Sequence, residues 1–383
     1  MTSNEPPWER PEPGSHGIRA ALLMLTIGGF AVLLAGLAIV VPFLLRATGT
    51  SGFLVGFLLS LFPLAVVLAA VHLVDRWEPE PRHLLASALV WGAIMSVAAA
   101  TLIQPMFLAL FGPRSATTAQ ATEFLATVEA PIVEEAAKGL GLLILMLAAR
   151  KYVDGPVDGI VYGMTIAAGF AFTENVLYFG RLFSQTSGSA ASLAVVFTMR
   201  GVLSPFAHAM FTGALGLIMG LAARRWSPGL VVATFVAGLV PAMLLHTIWN
   251  GAGEDFFLLY VLVQIPLFCA AVLGVYFLRR SEARLTHARL VEYARAGWFT
   301  PLEVEMLATP RGRTAGLRWA ASVGRREAMR AFIRTATDLA AARQRVISGR
   351  DVRGYADAQL ELLERVGRNR AAVLGVPYGA PQL

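Results

Sequence analysis

The sequence is poor in cysteine and in charged residues. Cys269 is the one cysteine among 383 residues, which excludes an intrachain disulfide and a cysteine-based zinc site. Only 15% of the residues are charged, whereas 56% are hydrophobic, and the mean hydropathy is +0.62. This composition excludes an ordinary soluble globular protein and predicts a membrane protein.

Residues 1–17 read MTSNEPPWERPEPGSHG, which is polar and rich in proline. They do not combine a charged n-region with an apolar core and a cleavage site, so we expect no removable signal peptide. The segment is predicted to be a disordered cytoplasmic N-terminus.

Eight apolar stretches follow, each long enough to cross a bilayer, which requires about 20 residues in a helix. They are 18–45, 51–74, 83–112, 127–149, 157–182, 191–223, 229–252 and 255–278. The sequence therefore predicts an all-α polytopic fold of about eight transmembrane helices within residues 18–280, followed by a helical tail.

The positions of arginine and lysine predict the orientation of these spans. With the N-terminus inside, the inner segments before the tail carry Arg10, Arg19, Arg76, Arg82, Arg150, Lys151, Arg224 and Arg225. The outer loops carry only Arg46, Arg114 and Arg181. We therefore expect a cell-membrane protein with both termini in the cytoplasm.

Residues 281–383 form a basic tail, with 17 of the 32 Lys and Arg residues and 10 of the 25 Asp and Glu residues. Its segment AMRAFIRTATDLAAARQRV has apolar residues at helical spacing. A basic segment beside membrane spans favours anionic lipid headgroups as a partner. No nucleic-acid-binding motif is visible, so no nucleic acid is expected.

Ionisable residues inside membrane spans are energetically unfavourable and are functional candidates by default. In the fourth span, Glu134 and Glu135 are adjacent, and Lys138 lies on roughly the same helix face. Two neighbouring carboxylates near a lysine suit general acid–base chemistry. The alternative is a structural Glu–Lys clamp.

Later spans carry Glu174 beside Asn175, then His208, and then His246 with Asn250 one turn further on. Counted from the predicted span ends, Glu134, Glu174, His208 and His246 share a depth of roughly 6–12 Å below the outer surface. This shared depth predicts one site. Hydrogen bonds between packed helices are the alternative for each residue, above all for Asn175.

These residue types are those of a hydrolase. A carboxylate can take a proton from water, Asn250 can donate to an oxyanion, and two histidines with a carboxylate can hold zinc. We take His208, His246 and Glu174 as the candidate metal ligands. The zinc-peptidase motif H-E-x-x-H is absent.

Four motifs in separate spans resemble those of the PrsW family of membrane proteases. They are EEAAK at 134–138, PVDGIVYG leading to GFAFTEN at 169–175, HAMFTG at 208–213 and HTIWN at 246–250. That family is distantly similar to the CAAX prenyl endopeptidases and to the Aph-1 subunit of gamma-secretase. The resemblance covers about residues 50–280.

The resemblance implies a glutamate-dependent intramembrane peptidase that cuts a single-span protein, such as an anti-sigma factor, near the outer face. Glu134 or Glu135 would be the general base, and a zinc ion is allowed but not required. The Aph-1 likeness leaves open a non-enzymatic scaffold that presents substrates. A proton-coupled transporter is a further alternative, which the one-sided depth of the polar residues disfavours.

Overall fold

The computed structural model describes residues 15–114, 117–150, 152–224, 227–349 and 352–378. Side chains are described from residue 28 onward, except those of 254 and 352–357. The described residues form helices and no strands, which confirms the predicted all-α class. The prediction of disorder falls almost entirely on residues 1–14, which lie outside this part of the chain.

The described residues of the membrane part form eleven α-helices, several of which continue into short π-helical segments. The α-helices are α1 (Ser15–Asp75), α2 (Arg82–Val90), α3 (Val97–Phe111), α4 (Thr118–Phe124), α5 (Ala130–Ala148), α6 (Pro156–Gln185), α7 (Ala190–Phe197), α8 (Ala207–Ala223), α9 (Pro228–Asn250), α10 (Phe256–Leu259) and α11 (Ile265–Arg295). The π segments are Trp91–Ser96, Leu125–Glu129, Thr198–Leu203 and Tyr260–Gln264.

Helix α1 contains the first two predicted spans, joined at Gly49. Gly49 has φ 67° and ψ 168°, a left-handed backbone that glycine adopts without strain. Before it, Gly36 packs against Ile94. After it, Gly52 and then Gly56 pack against successively earlier residues of α6. The second half of α1 therefore runs antiparallel to α6, and the chain reverses near Gly49.

Helix α6 lies at the centre of the membrane part and is buried along most of its length. Glycines let neighbouring helices approach it closely. A Cβ atom on Gly159 would lie 2.0 Å from the carbonyl oxygen of Gly216 on α8, and one on Gly169 would lie 2.0 Å from that of Leu89 on α2. Small residues at such crossings are the usual basis of packing in membranes, where lipid and side chains are equally apolar.

Six helical stretches of the described residues are long and apolar enough to cross a membrane. They are Gly28–Asp75, Arg82–Phe111, Pro156–Gln185, Ala190–Ala223, Pro228–Asn250 and Phe256–Arg295. The chain is thus a multi-pass membrane protein. The predicted spans 18–45 and 51–74 are counted as one stretch, because both lie in the continuous helix α1. The predicted span 127–149 is not in this set, because Glu134, Glu135 and Lys138 make it too polar. The count of eight stays a prediction.

The tail is helical, as expected, but it has no break at residue 280, because α11 extends without interruption to Arg295. It continues as α12 (Pro301–Ala308), α13 (Pro310–Ser322), α14 (Arg326–Ile347) and α15 (Val352–Leu374). These helices pack around their own apolar core, which includes Leu290, Leu307, Phe332 and Leu339.

The tail contacts the membrane part at two loops. The Arg313 guanidinium lies 3.4 Å from the centre of the Trp77 ring and donates to the Trp77 carbonyl at 2.9 Å. Arg345 pairs with Asp154. The loops after α1 and before α6 therefore lie at the same end of the molecule, as the charge pattern predicts for the inner loops.

Candidate functional site

Six of the seven predicted site residues lie together between α5, α6, α8 and α9. They are Glu134, Glu135, Lys138, Glu174, His208 and His246. These helices are mostly apolar, and their close packing brings the polar side chains of the cluster together. The cluster pairs three carboxylates with two histidines and a lysine.

Glu135 is fully buried and has a donor for each carboxylate oxygen. Lys138 Nζ lies 2.5 Å and His246 Nδ1 3.0 Å from Oε1. The Thr212 hydroxyl donates to Oε2 at 2.9 Å. A buried carboxylate with this many donors is held in one position, so Glu135 joins α5 to both α8 and α9.

Glu134 lies next to Glu135 in sequence but in a different environment. Its side chain is 14% exposed, and His246 Nε2 lies 3.8 Å from Oε2. This Oε2 atom is buried and has no hydrogen-bond partner among the described residues. Buried carboxylate oxygens are normally satisfied, so this one is available for a water, a proton or a cation.

The two imidazoles are each held by a carboxylate through one ring nitrogen. His246 presents Nδ1 to Glu135, which leaves Nε2 directed toward Glu134. His208 Nε2 lies 2.8 Å from Glu174 Oε2, and its Nδ1 lies 3.2 Å from Lys138 Nζ. Because an ammonium only donates, the proton of His208 is assigned to Nε2, facing Glu174.

Arg200, in the π segment before α8, joins the cluster although the sequence analysis did not select it as a site residue. Its Nη2 lies 2.6 Å from Glu174 Oε2, and its Nε donates to Asn175 Oδ1 at 2.9 Å. An arginine inside a predicted span was the signal that identifies it. Asn175, for which helix packing was the alternative, serves as this arginine's acceptor.

Asn250 is not brought into the cluster. Its amide donates to the carbonyl of Ala126 at 2.8 Å, and Thr247 donates to that of Thr127 at 3.0 Å. Both acceptors belong to the π segment before α5, where the wider turn frees carbonyl groups. Asn250 therefore joins α9 to this segment, and this contact does not favour its predicted role as an oxyanion donor.

The site lies in the C-terminal half of α6, which the predicted orientation places toward the outer face. Glu174 is eighteen residues after Pro156 and eleven before Gln185, which places it ~27 Å and ~17 Å from the two helix ends. His246 is only one turn from the end of α9 at Asn250. The shared depth of the site below the outer surface stays a prediction; α6 itself extends three residues beyond its expected end.

The donor set suits a metal ion, with one change from the predicted ligands. Glu134, His208 and His246 each offer a ligand atom within 4.8 Å of the others, whereas Glu174 is engaged by Arg200 and His208. A carboxylate behind each imidazole is the usual support of metal-binding histidines. These features and the unpartnered Glu134 oxygen fit a zinc ion. The Lys138 ammonium, which lies 3.2 Å from His208 Nδ1, and the Arg200 guanidinium at Glu174 are opposing charges.

The chain matches the profile described as the PrsW family intramembrane metalloprotease over residues 80–271, half of its length. Protease PrsW of Clostridioides difficile is 31% identical over 160 residues, which cover 42% of this chain and 63% of that protein. Protease PrsW of Bacillus subtilis is 24% identical over 182 residues, which cover 48% of this chain and 75% of that protein.

Protease PrsW of Geobacillus kaustophilus is 29% identical over 160 residues, 42% of this chain and 63% of that protein. The alignments thus span less than two thirds of two of these relatives. No solved structure matches the chain. The matched range 80–271 contains every residue of the cluster. On the extent of this match, the chain belongs to the PrsW family of intramembrane metalloproteases.

Proposed function

We propose that this protein is an intramembrane endopeptidase that hydrolyses a peptide bond of a membrane-anchored protein. The observation that carries the proposal is the Glu134 carboxylate, with its unpartnered buried oxygen beside two histidines that are fixed from behind. Membership of the PrsW family supports the reaction class. Buried carboxylate oxygens are normally hydrogen-bonded, so an unsatisfied one beside two imidazoles supports a site that receives water or a cation.

In the proposed reaction, Glu134 is the general base. It takes a proton from water while the water oxygen forms a bond to the carbonyl carbon of the scissile peptide. The tetrahedral intermediate then collapses, the C–N bond breaks, and the proton passes from Glu134 to the leaving amine. Proton transfer by a positioned carboxylate contributes about 10²–10⁴-fold to such rates.

Glu135 has a different role in this proposal. Because its oxygens are engaged by Lys138, His246 and Thr212, it holds His246 in one orientation and neutralises Lys138. The pairing leaves Glu134 as the carboxylate with space for water. The sequence could not choose between the two glutamates, and their surroundings favour Glu134.

In the zinc-dependent alternative, Glu134 would be a ligand and not the base: with His208 and His246 it would hold a zinc ion, which would supply Lewis acidity and a water of lowered pKa. Metal analysis of the purified protein tests this ligand set. Wild-type protein should contain about one zinc, and Glu134→Gln should lose it, whereas Glu174→Gln should keep it. Wild-type protein without metal, or equal loss in both variants, would contradict the assignment.

We further propose a single-span protein as substrate, with an anti-sigma factor as the class suggested by the family resemblance. The position of the cluster in the outer part of α6 supports a cut nearer the outer face of a cell membrane. We also propose that both termini are cytoplasmic, which would bring the basic tail near anionic headgroups. The arginine-rich composition of residues 281–383 supports this lipid contact.

The test is cleavage of a single-span reporter protein by the purified enzyme in vesicles. Wild-type enzyme should cut the reporter, and Glu134→Gln should lose at least 100-fold in rate at unchanged expression and melting temperature. Glu129→Gln is the matched control, because Glu129 is buried nearby and its side chain, among the described residues, accepts a hydrogen bond only from Gln104.

Full activity in Glu134→Gln would contradict the assignment of Glu134 as the base, and full activity in Glu135→Gln as well would contradict a glutamate-dependent reaction. If Glu134→Gln is inactive, comparative membrane proteomics of cells that carry wild type or this variant would identify the natural substrate. It is the single-span protein that accumulates uncut in the variant cells. A stable partner complex without any cleavage would instead favour a scaffold, and ion flux in liposomes would favour a transporter.

A further inference from the structure

Three residues of α6 contact the side chain of Arg200. Glu174 and Asn175 bind its guanidinium nitrogens at 2.6 and 2.9 Å, and the Tyr178 ring lies beneath it, 3.9 Å from ring centre to Cζ. Glu174 and Tyr178 are one helical turn apart, with Asn175 between them. The residues around Glu174 thus form a binding place for one arginine.

The helix that carries Arg200 is shaped to reach this place. Thr198–Leu203 is π-helical, and the amide of Ser204 donates to the carbonyl of Met199 at 3.0 Å, five residues earlier. Single π turns re-aim side chains and are common at functional sites. The helix is interrupted after Leu203, and α8 begins at Ala207. Arg200 and His208 therefore approach Glu174 from two separate helical segments.

Arg200 and His208 share one oxygen atom. Both Arg200 Nη2 and His208 Nε2 contact Glu174 Oε2. A charged guanidinium at this oxygen fixes the direction of the carboxylate. The carboxylate in turn fixes the proton of His208 on Nε2 and directs Nδ1 toward Lys138 and the site.

We propose that Arg200 is a positioning residue that acts through Glu174 to set the ring orientation and tautomer of His208. This inference rests on the proposed peptidase function for its kinetic consequences, but the tautomer is a property of the resting protein. Supporting residues behind a functional histidine typically contribute 10–100-fold in activity.

Kinetics provide the first test. Arg200→Ala should lower kcat by about 10–100-fold with KM changed less than about threefold, because the reporter's binding surface is left in place. Arg200→Lys should recover part of the loss, and added methylguanidinium should raise the rate of Arg200→Ala but not of His208→Ala. Arg181→Ala removes the same charge from the exposed end of α6 and should leave the rate unchanged.

A double-mutant cycle tests the route through Glu174. If Arg200 acts only through this carboxylate, Arg200→Ala combined with Glu174→Gln should be no slower than Glu174→Gln alone. Multiplicative losses would overturn the proposed route. Normal kcat per folded enzyme in Arg200→Ala, with reduced yield, would show a role in folding only and would also overturn it.

The tautomer provides a test that needs no substrate. In ¹⁵N-histidine spectra of wild-type protein in bilayers, the signal that disappears in His208→Ala should have the pattern of an Nε2–H imidazole. Arg200→Gln should change that pattern, and Arg181→Ala should not. An unchanged signal in Arg200→Gln contradicts the inference, whereas absence of cleavage by wild type bears only on the peptidase proposal.

Discussion

The two halves of α6 carry polar clusters built from similar residues with different connections, and we name them outer and inner after the predicted orientation. At the outer end, Glu174 meets histidine and arginine from α8 and the π segment before it. At the inner end, Asp158 accepts the backbone N–H groups of Asp154 and Gly155 at 2.8 and 2.9 Å. Tyr162, one turn further, donates to Glu80 at 2.6 Å.

The difference lies in histidine and in an unsatisfied oxygen. Among the described residues, the contacts of the inner cluster join acids to backbone groups, a tyrosine and the arginines of the tail. The outer cluster adds two imidazoles and leaves Glu134 Oε2 without a partner. Buried carboxylates can therefore connect two chain segments as well as form a reactive site. A carboxylate oxygen without a hydrogen bond, next to an imidazole, distinguishes the candidate reactive site.

The largest contrast should appear in activity. Glu134→Gln should lower the cleavage rate by about 10²–10⁴-fold, whereas Asp158→Asn should change it less than about threefold per folded molecule, since its bonds are to backbone N–H groups far from Glu134. Reporter cleavage in vesicles, normalised to folded protein, measures both. Similar losses in the two variants would remove the distinction between the clusters.

The next effect concerns the stability of the outer cluster. Lys138→Met should destabilise the fold by about 3–5 kcal/mol, because it leaves Glu135 buried without a cation. Thermal unfolding in detergent gives the change. The double variant Lys138→Met with Glu135→Leu should regain much of the loss, and a double variant no more stable than Lys138→Met alone would argue against the charge explanation.

A smaller effect is expected where the inner end meets the tail. Arg313→Ala removes the stacking on Trp77 and the bonds to Trp77, Leu307 and Thr337, so it should weaken docking by about 1–3 kcal/mol. Hydrogen exchange should rise around Trp77 and Thr337. Arg318→Ala, an exposed arginine on the same helix, is the control and should not change exchange at those positions.

The smallest expected effect is a pH dependence at the inner end. Burial, followed by the neighbouring Asp158 charge, raises the pKa of Glu80 well above its usual value. The folded state therefore holds this proton more tightly than the unfolded state, and stability falls as pH rises from about 4.5 toward the raised pKa. Glu80→Gln keeps an acceptor for Tyr162 and should flatten this fall.

Melting temperatures of wild type and Glu80→Gln at pH 5 and pH 8 measure that slope. The variant should gain a few degrees relative to wild type at pH 8 and little at pH 5. A parallel pH response in the two proteins would mean that other groups, such as Glu78, whose pKa is also raised by burial, dominate the dependence.

The sequence predicted the helices and most of the site because ionisable residues are rare in apolar spans, and four spans carried them. It could not assign separate roles to Glu134 and Glu135. Adjacent positions on a helix differ by about 100° in direction, and only the packing of α8 and α9 decides which glutamate meets three donors.

Two other results depended on local geometry that a single-sequence pattern does not report. Asn250 shares a helix face with His246, but the π segment before α5 supplies carbonyls that take its amide. Arg200 lies four residues before Ser204, where the helix ends, and it reaches Glu174 from a π-helical turn. Hydropathy shows neither π turns nor the free carbonyls they create.

Helix α6 is uninterrupted from Pro156 to Gln185 and is enclosed by its neighbours, with glycines in backbone contact on several sides. Such a helix has no hinge that could absorb a displacement of one end. A shift of Asp158 along the helix axis would therefore move Glu174 by nearly the same distance. The proposed chemistry tolerates only small displacements of the groups around Glu174. The positional tolerance of the outer cluster thus sets a limit on how far the inner loops can slide.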